Sequence, residues 1–288
     1  MDKKIALVTG ANAGMGKATV EALADRGIHV VMLCRSEKRG KEALREITQK
    51  EGRSVELMLC DLSDMESIRH CAGEFKKKFR RLDILVNSAG VITLDRRETK
   101  DGLELQFGVN HIGHFLLTLL LLEPLSGAER ARIVVVGSGT HHVGRIHFND
   151  YNLTRGYNAA RAYGQSKLAN LLFTRELARL LKEQKSNITI NCAHPGAVAT
   201  QMGVDRETGF GKSVMSLLKY FFQTPAQGAR TAVHLAVEDS VRDISGEYFY
   251  RQKVWRTSGR GKDMQAARRL FELSEKICGI TFSKAFDL

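Results

Sequence analysis

Proline is scarce in this chain, with three residues in 288, at Pro124, Pro195 and Pro225. So few breaks exclude a proline-rich linker and leave long stretches free to form helices and strands. Tryptophan occurs once. Cysteine occurs five times, at Cys34, Cys60, Cys71, Cys192 and Cys278, an odd number without a Cys-x-x-Cys pair. This excludes a disulfide framework and a cysteine-based zinc site, and fits reduced thiols in a reducing compartment. The most apolar run, residues 115–122, falls far short of the ~20 residues needed to span a bilayer. Residues 1–5 enter a predicted strand without an apolar leader, so a cytoplasmic protein with no transmembrane segment is expected.

Acidic residues are also in deficit. Lys and Arg number 44 against 32 Asp and Glu, a net charge of +12. The basic residues are dispersed, with short clusters at 76–81, 96–97 and 256–269. No aromatic-interleaved stripe or helix-turn-helix pattern accompanies them, so a solvated basic surface is expected and nucleic acid is not an expected partner.

What the chain has is a hydrophobic content of 43% and an alternating rhythm. Apolar runs at 5–9, 29–35, 55–60, 82–86, 132–136, 188–192 and 247–250 read as strands. Amphipathic stretches at 18–26, 37–50, 63–79, 103–122, 161–182 and 226–237 read as helices. Mostly apolar strands separated by helices predict a parallel sheet covered on both faces. The expected fold is α/β: a doubly wound Rossmann-type domain over residues 1–288, with a mostly parallel seven-stranded sheet. Residues 255–288 are expected to form a C-terminal helical extension.

Between the first strand and the first helix lies Thr9-Gly-Ala-Asn-Ala-Gly-Met-Gly16. Gly10, Gly14 and Gly16 would let the backbone turn tightly and approach a pyrophosphate at the helix N-terminus. At the end of the second strand, where an NAD site has an acid for the ribose hydroxyl, stands Arg35. A guanidinium suits a 2′-phosphate, so NADP(H) is the expected cofactor, with NAD(H) as the second possibility. Further on, Tyr163 and Lys167 are four residues apart and face the same way on a predicted helix. A nearby ammonium favours phenolate, so the tyrosine pKa is expected to fall towards a working acid–base range.

These motifs, taken in order, resemble the short-chain dehydrogenase/reductase family over nearly the whole chain. By that resemblance Gly10, Asn12, Gly14, Met15 and Gly16 belong to the cofactor loop. Asp61 and Leu62 are the adenine contact. Asn87-Ser-Ala-Gly90, including Ala89, corresponds to the Asn-Asn-Ala-Gly motif. Asn110, Ser138, Tyr163 and Lys167 match the catalytic tetrad, and Pro195, Gly196, Val198 and Thr200 the segment at the nicotinamide end. The stretches 110–115, 141–148, 163–178 and 245–249 resemble the retinol-dehydrogenase-like branch. Two departures stand out: Ser88 replaces the second asparagine, and Gly137 and Gly139 flank Ser138, which is expected to loosen that loop and widen the site.

The resemblance implies an oxidoreductase that interconverts a carbonyl and an alcohol. Tyr163 is the proton donor or acceptor, Ser138 holds the substrate oxygen, Lys167 tunes the tyrosine and holds the ribose, and Asn110 supports a water. No metal is expected. His111, His114, His141 and His142 are read as packing or surface residues, because no acidic partner sits at metal spacing. Ser138 lacks a Gly-x-Ser-x-Gly elbow, so a hydrolase triad is set aside. Residues 199–224, rich in Met and Phe, read either as a lid over an apolar pocket or as an amphipathic helix on the core. The expected substrate is an apolar aldehyde, ketone or alcohol. Leucines at 116, 117 and 119–121 fit a homodimer or homotetramer face as well as burial within one subunit. A catalytically silent nucleotide-sensing or scaffold protein of the same fold is the alternative.

Overall fold

The computed structural model describes residues 3–196 and 224–286. Its centre is a sheet of strands β1 (Ile5–Thr9), β2 (His29–Cys34), β3 (Val55–Leu59), β4 (Ile84–Asn87), β5 (Ala131–Val136), β6 (Ile188–His194), β7 (Tyr248–Tyr250) and β8 (Lys253–Val254). Their order is β3-β2-β1-β4-β5-β6-β7-β8. Every pairing is parallel except β7 with β8. The sheet therefore has eight strands rather than the expected seven. The extra strand is short, and it returns through Arg251 and Gln252, both at positive φ (50° and 64°). Tight hairpins with that geometry usually carry Asn-Gly or Asp-Gly, so this one left no recognisable turn signal.

Side chains alternate across the sheet, as the two-residue period of a strand dictates. Ala6, Val8, Val30, Met32, Val86 and Val134 point into one layer, against helices α1 (Gly14–Ala24), α2 (Glu37–Thr48) and α8 (Pro225–Val237). Leu7, Val31, Leu85, Ile133 and Val135 point into the other, against α3 (Met65–Lys78), α5 (Gly113–Leu120), α7 (Ala159–Glu183) and α9 (Met264–Cys278). The last helix, α10 (Phe282–Phe286), also contributes to this larger layer, through Phe282 and Ala285. Leu116, Leu117, Leu119 and Leu121 are buried here, within the subunit.

The expected helix over 103–122 is interrupted. A short α4 (Leu105–Phe107) runs into a π-helical turn, Gly108–Ile112, before α5, and α6 (Leu122–Ser126) follows. Strand order reverses between β1 and β4, which opens a crevice at their C-terminal ends, the usual ligand position in this architecture.

Candidate active site

The crevice is built from strand ends. After β1, the loop to α1 depends on two glycines. A Cβ on Gly10, which has φ +66°, would lie 2.8 Å from Ala89 Cα, and one on Gly16 would lie 2.3 Å from the Gly10 carbonyl oxygen. Only bare backbone fits, and Gly14 is also at positive φ. Helix α1 begins with Ala13 at its N-cap, without a side-chain cap and without an acid in the first turn. Its first N–H groups and positive dipole end are thus left to an anionic ligand. Asn12 is partly exposed on the loop and Met15 packs inward. Arg35 lies exposed just beyond β2, and Ser36 after it caps α2. This cradle fits the phosphates of a dinucleotide.

The neighbouring loops are tied to it. Thr9 Oγ accepts hydrogen bonds from the Ser88 and Ala89 N–H groups at 2.8 and 2.9 Å. The serine that departs from the family pattern is held by its backbone, so its side chain is not needed for this contact. Asn87 is buried and donates to Thr118 at 2.9 Å. Asp61 accepts from the backbone and hydroxyl of Ser63 at 2.9 and 2.7 Å, closing the turn into α3. The Leu62 carbonyl lies 2.6 Å from where a Cβ on Gly113 would stand. Gly90 borders Val91, whose main chain is gripped at both ends by Asn110. The Asn110 Oδ1 accepts from Val91 N–H at 2.7 Å, and its Nδ2 donates to the Val91 carbonyl at 3.1 Å. Nδ2 also donates to Ser166 Oγ at 3.0 Å.

Ser138 follows β5 in extended conformation and starts the 3₁₀ turn Gly139–His142, its Oγ accepting from Thr140 N–H at 3.2 Å. Tyr163, in the first turns of α7, hydrogen-bonds to that serine. Lys167 lies one turn further along, fully buried, with Nζ 5.6 Å from the Tyr163 ring centre. It donates to the Val136 carbonyl at 3.0 Å, and Asn170 donates to the same oxygen at 3.2 Å. Burial pushes Lys167 down to about 8. Burial also pushes the Tyr163 hydroxyl up, opposed by the Ser138 hydrogen bond. The expectation that the lysine lowers the tyrosine is therefore corrected. In this geometry desolvation outweighs a lysine whose ammonium is turned to a carbonyl.

The flanking glycines leave little open space beside the serine. A Cβ on Gly137 would meet Cys192 Sγ at 2.5 Å, and one on Gly139 would meet His194 Nε2 at 3.3 Å. The space that larger residues would take is filled by β6. His194, Tyr250 and Trp255 continue as a row of rings, with His194 and Tyr250 stacked at 4.7 Å and Trp255 edge-on to Tyr250 at 5.5 Å. Pro195 and Gly196 close β6, the Gly196 N–H donating to His194 Nδ1 at 3.3 Å. Val198, Thr200 and residues 199–223 of the candidate lid lie outside the described residues.

Of the four histidines read as packing or surface residues, His111, His114 and His141 are buried and His142 is exposed. Sequence reasoning missed three parts of the site: the Thr9 hydroxyl, the Val136 carbonyl, and Asn170. Thr9 had a signal, since it joins strand to glycine loop. A carbonyl has none.

The short chain dehydrogenase family matches residues 4–209. The chain belongs to that family. Human retinol dehydrogenase 11 is 42% identical to it over 278 residues, covering 96% of this chain and 86% of that protein. An uncharacterised protein from Mycobacterium paratuberculosis has a crystal structure with a TM-score of 0.79 and 33% identity, covering 97% of this chain and 94% of its own. A candidate NAD(P)-dependent gluconate 5-dehydrogenase from Beutenbergia cavernae, with NADP bound at low occupancy, has a TM-score of 0.66 and 25% identity. It covers 85% of this chain and 94% of its own. Membership makes the protein an oxidoreductase of carbonyl–alcohol interconversion, in the retinol-dehydrogenase-like branch.

Proposed function

We propose that the protein is an NADP(H)-dependent reductase of apolar aldehydes or ketones, run in reverse on the matching alcohols. The observation that carries this reading is the Tyr163 hydroxyl bonded to Ser138, with Lys167 one helical turn behind it. A nicotinamide dinucleotide held by the loop at 10–16 would supply or accept the hydride. The protein's residues handle the proton. Ser138 and Tyr163 both reach one substrate oxygen and stabilise the charge that develops there. Burial keeps Tyr163 in its protonated form, the state required of a donor to a carbonyl oxygen. Lys167, released from Val136, would approach the tyrosine and the ribose hydroxyls. Asn110 holds the Val91 main chain and donates to Ser166, the residue before Lys167.

Arg35 supports the choice of NADP(H), as does the NADP bound to the Beutenbergia cavernae protein. An apolar substrate is supported by the ring row His194–Tyr250–Trp255 near Ser138 and by the name of the human relative. Five buried, unpaired thiols support a reducing, cytoplasmic setting. A panel of retinal, long-chain aldehydes, short aldehydes and polar keto acids, read by NADPH absorbance, tests the assignment. Turnover of the apolar members with NADPH is expected. Preference for keto acids, or for NADH, would overturn the corresponding half.

A further inference from the structure

His114 sits on α5, one turn after Asn110, and is 1% exposed. Its Nδ1 lies 3.0 Å from the Asn110 backbone carbonyl, and its Nε2 lies 2.8 Å from Thr9 Oγ. A carbonyl only accepts, so Nδ1 carries the hydrogen. Nε2 of the neutral ring must then accept, and the Thr9 hydroxyl donates to it. Thr9 in turn receives the Ser88 and Ala89 N–H groups. Two residues on, Val91 is gripped by the Asn110 side chain. These bonds form a closed ring: Thr9 to the loop at 88–91, the loop to Asn110, Asn110 to His114, and His114 back to Thr9.

The ring contains one group with two functions at opposite ends. The Asn110 carbonyl lies inside the π-helical turn Gly108–Ile112, where the ordinary helical ladder is displaced. The ring nitrogen of His114 takes that carbonyl. Its other nitrogen reaches the start of the glycine loop. Burial, opposed by the bond to the Asn110 carbonyl and aided slightly by Lys167, pushes His114 down to about 4. The imidazole therefore stays a one-donor, one-acceptor bridge throughout the neutral range.

We propose that His114 is a positioning residue that locks the dinucleotide-binding loops, through Thr9, to the Asn110 segment, which bonds to Ser166 beside Lys167. The Nε2 side sets coenzyme affinity, and the Nδ1 side sets the rate of the chemical step. This rests on the reading of a nicotinamide enzyme given above.

The two sides separate by substitution. His114→Asn keeps a short side-chain donor near the Asn110 carbonyl and loses Thr9. His114→Gln keeps an acceptor near Thr9 and loses the carbonyl. NADPH dissociation constants are measured by fluorescence, and kcat with a saturating aldehyde, with a thermal midpoint for each variant. His114→Asn is expected to weaken NADPH about 10-fold with kcat within about 3-fold, the loss of one buried hydrogen bond. His114→Gln is expected to do the opposite. Parallel loss of affinity and rate in both variants, in step with thermal stability, would mean a purely structural histidine and overturns the proposal. So would unchanged values in both.

Should His114→Asn not fold, Thr9→Val breaks the same bond from the other side and also frees Ser88 and Ala89. It is expected to weaken NADPH at least as much, and unaltered affinity there overturns the proposal. Wild-type protein that binds neither NADPH nor NADH would instead overturn the underlying reading of the site.

Discussion

Lys167 Nζ lies 5.6 Å from the centre of the Tyr163 ring while its hydrogen bond, at 3.0 Å, goes to the carbonyl of Val136. The two side chains share a helix face, yet the ammonium is held by a strand end rather than by the phenol. This arrangement makes the lysine both costly to the fold and available to the site.

Replacing Lys167 should therefore stabilise the protein and silence it. The folded lysine titrates at about 8, below its ordinary 10.5. Between those values the unfolded chain binds more protons, so this group makes stability rise with pH across that window. Below about 8 the penalty for burying the charge is fully present, of order 3 kcal/mol at most. Lys167→Met is expected to raise the denaturation midpoint at pH 7, with an advantage that fades towards pH 10.5. Denaturant melts of both proteins at several pH values check this. An equal midpoint difference at every pH would contradict it.

Tyr163→Phe removes the donor hydroxyl and leaves the ring in place. Turnover should fall by ~100- to 10,000-fold, the usual worth of a positioned acid or base. NADPH titration should give an affinity near that of the parent. Substantial carbonyl reduction by this variant would refute the assigned proton donor.

Arg35→Asp should erase the proposed coenzyme choice. Charge-assisted bonds to a phosphate contribute about 1.5–3 kcal/mol, or ~10- to 100-fold. The ratio of kcat/KM for NADPH over NADH is expected to drop by that factor or more. A ratio that does not move would take Arg35 out of the coenzyme site.

Gly137→Ala tests how tightly the serine loop is packed. Its new methyl would stand 2.5 Å from Cys192 Sγ. Overpacking of this kind costs about 1–3 kcal/mol. Adding Cys192→Ala removes the sulfur and should restore much of the loss, so the double variant melts above Gly137→Ala alone. Simple additivity of the two losses would show that the loop yields freely.

Much of the fold is legible from local pattern. Residues 5–9 and 29–34 are apolar on both faces because both faces are covered, and a continuous apolar run is the signature of that burial. The glycine loop is legible because Gly10 and Gly16 meet backbone at distances no other residue tolerates. The π turn at Gly108–Ile112 was not, since its composition suits a helix of either kind and tertiary contacts choose between them. The same holds for β8, whose turn residues break the usual preference. At the site, side chains that bond to side chains leave a spacing in the sequence. The Val136 carbonyl, which holds Lys167 and Asn170 together, belongs to the backbone and is invisible there. The direction of the tyrosine pKa is hidden for a related reason. Spacing reports which groups are neighbours, but desolvation depends on everything packed around them.

The sheet's outer strands bear on how the chain behaves when crowded with copies of itself. At one side β8 has two residues, both exposed, and Lys253 is one of them. At the other, β3 carries Glu56, engaged by Lys78 of α3 and facing His29. A short rim and a charged rim are poor templates for a foreign strand. The apolar strands between them have both neighbours paired, so intermolecular pairing would have to start at these rims, where Leu59 and Val254 are the exposed apolar residues.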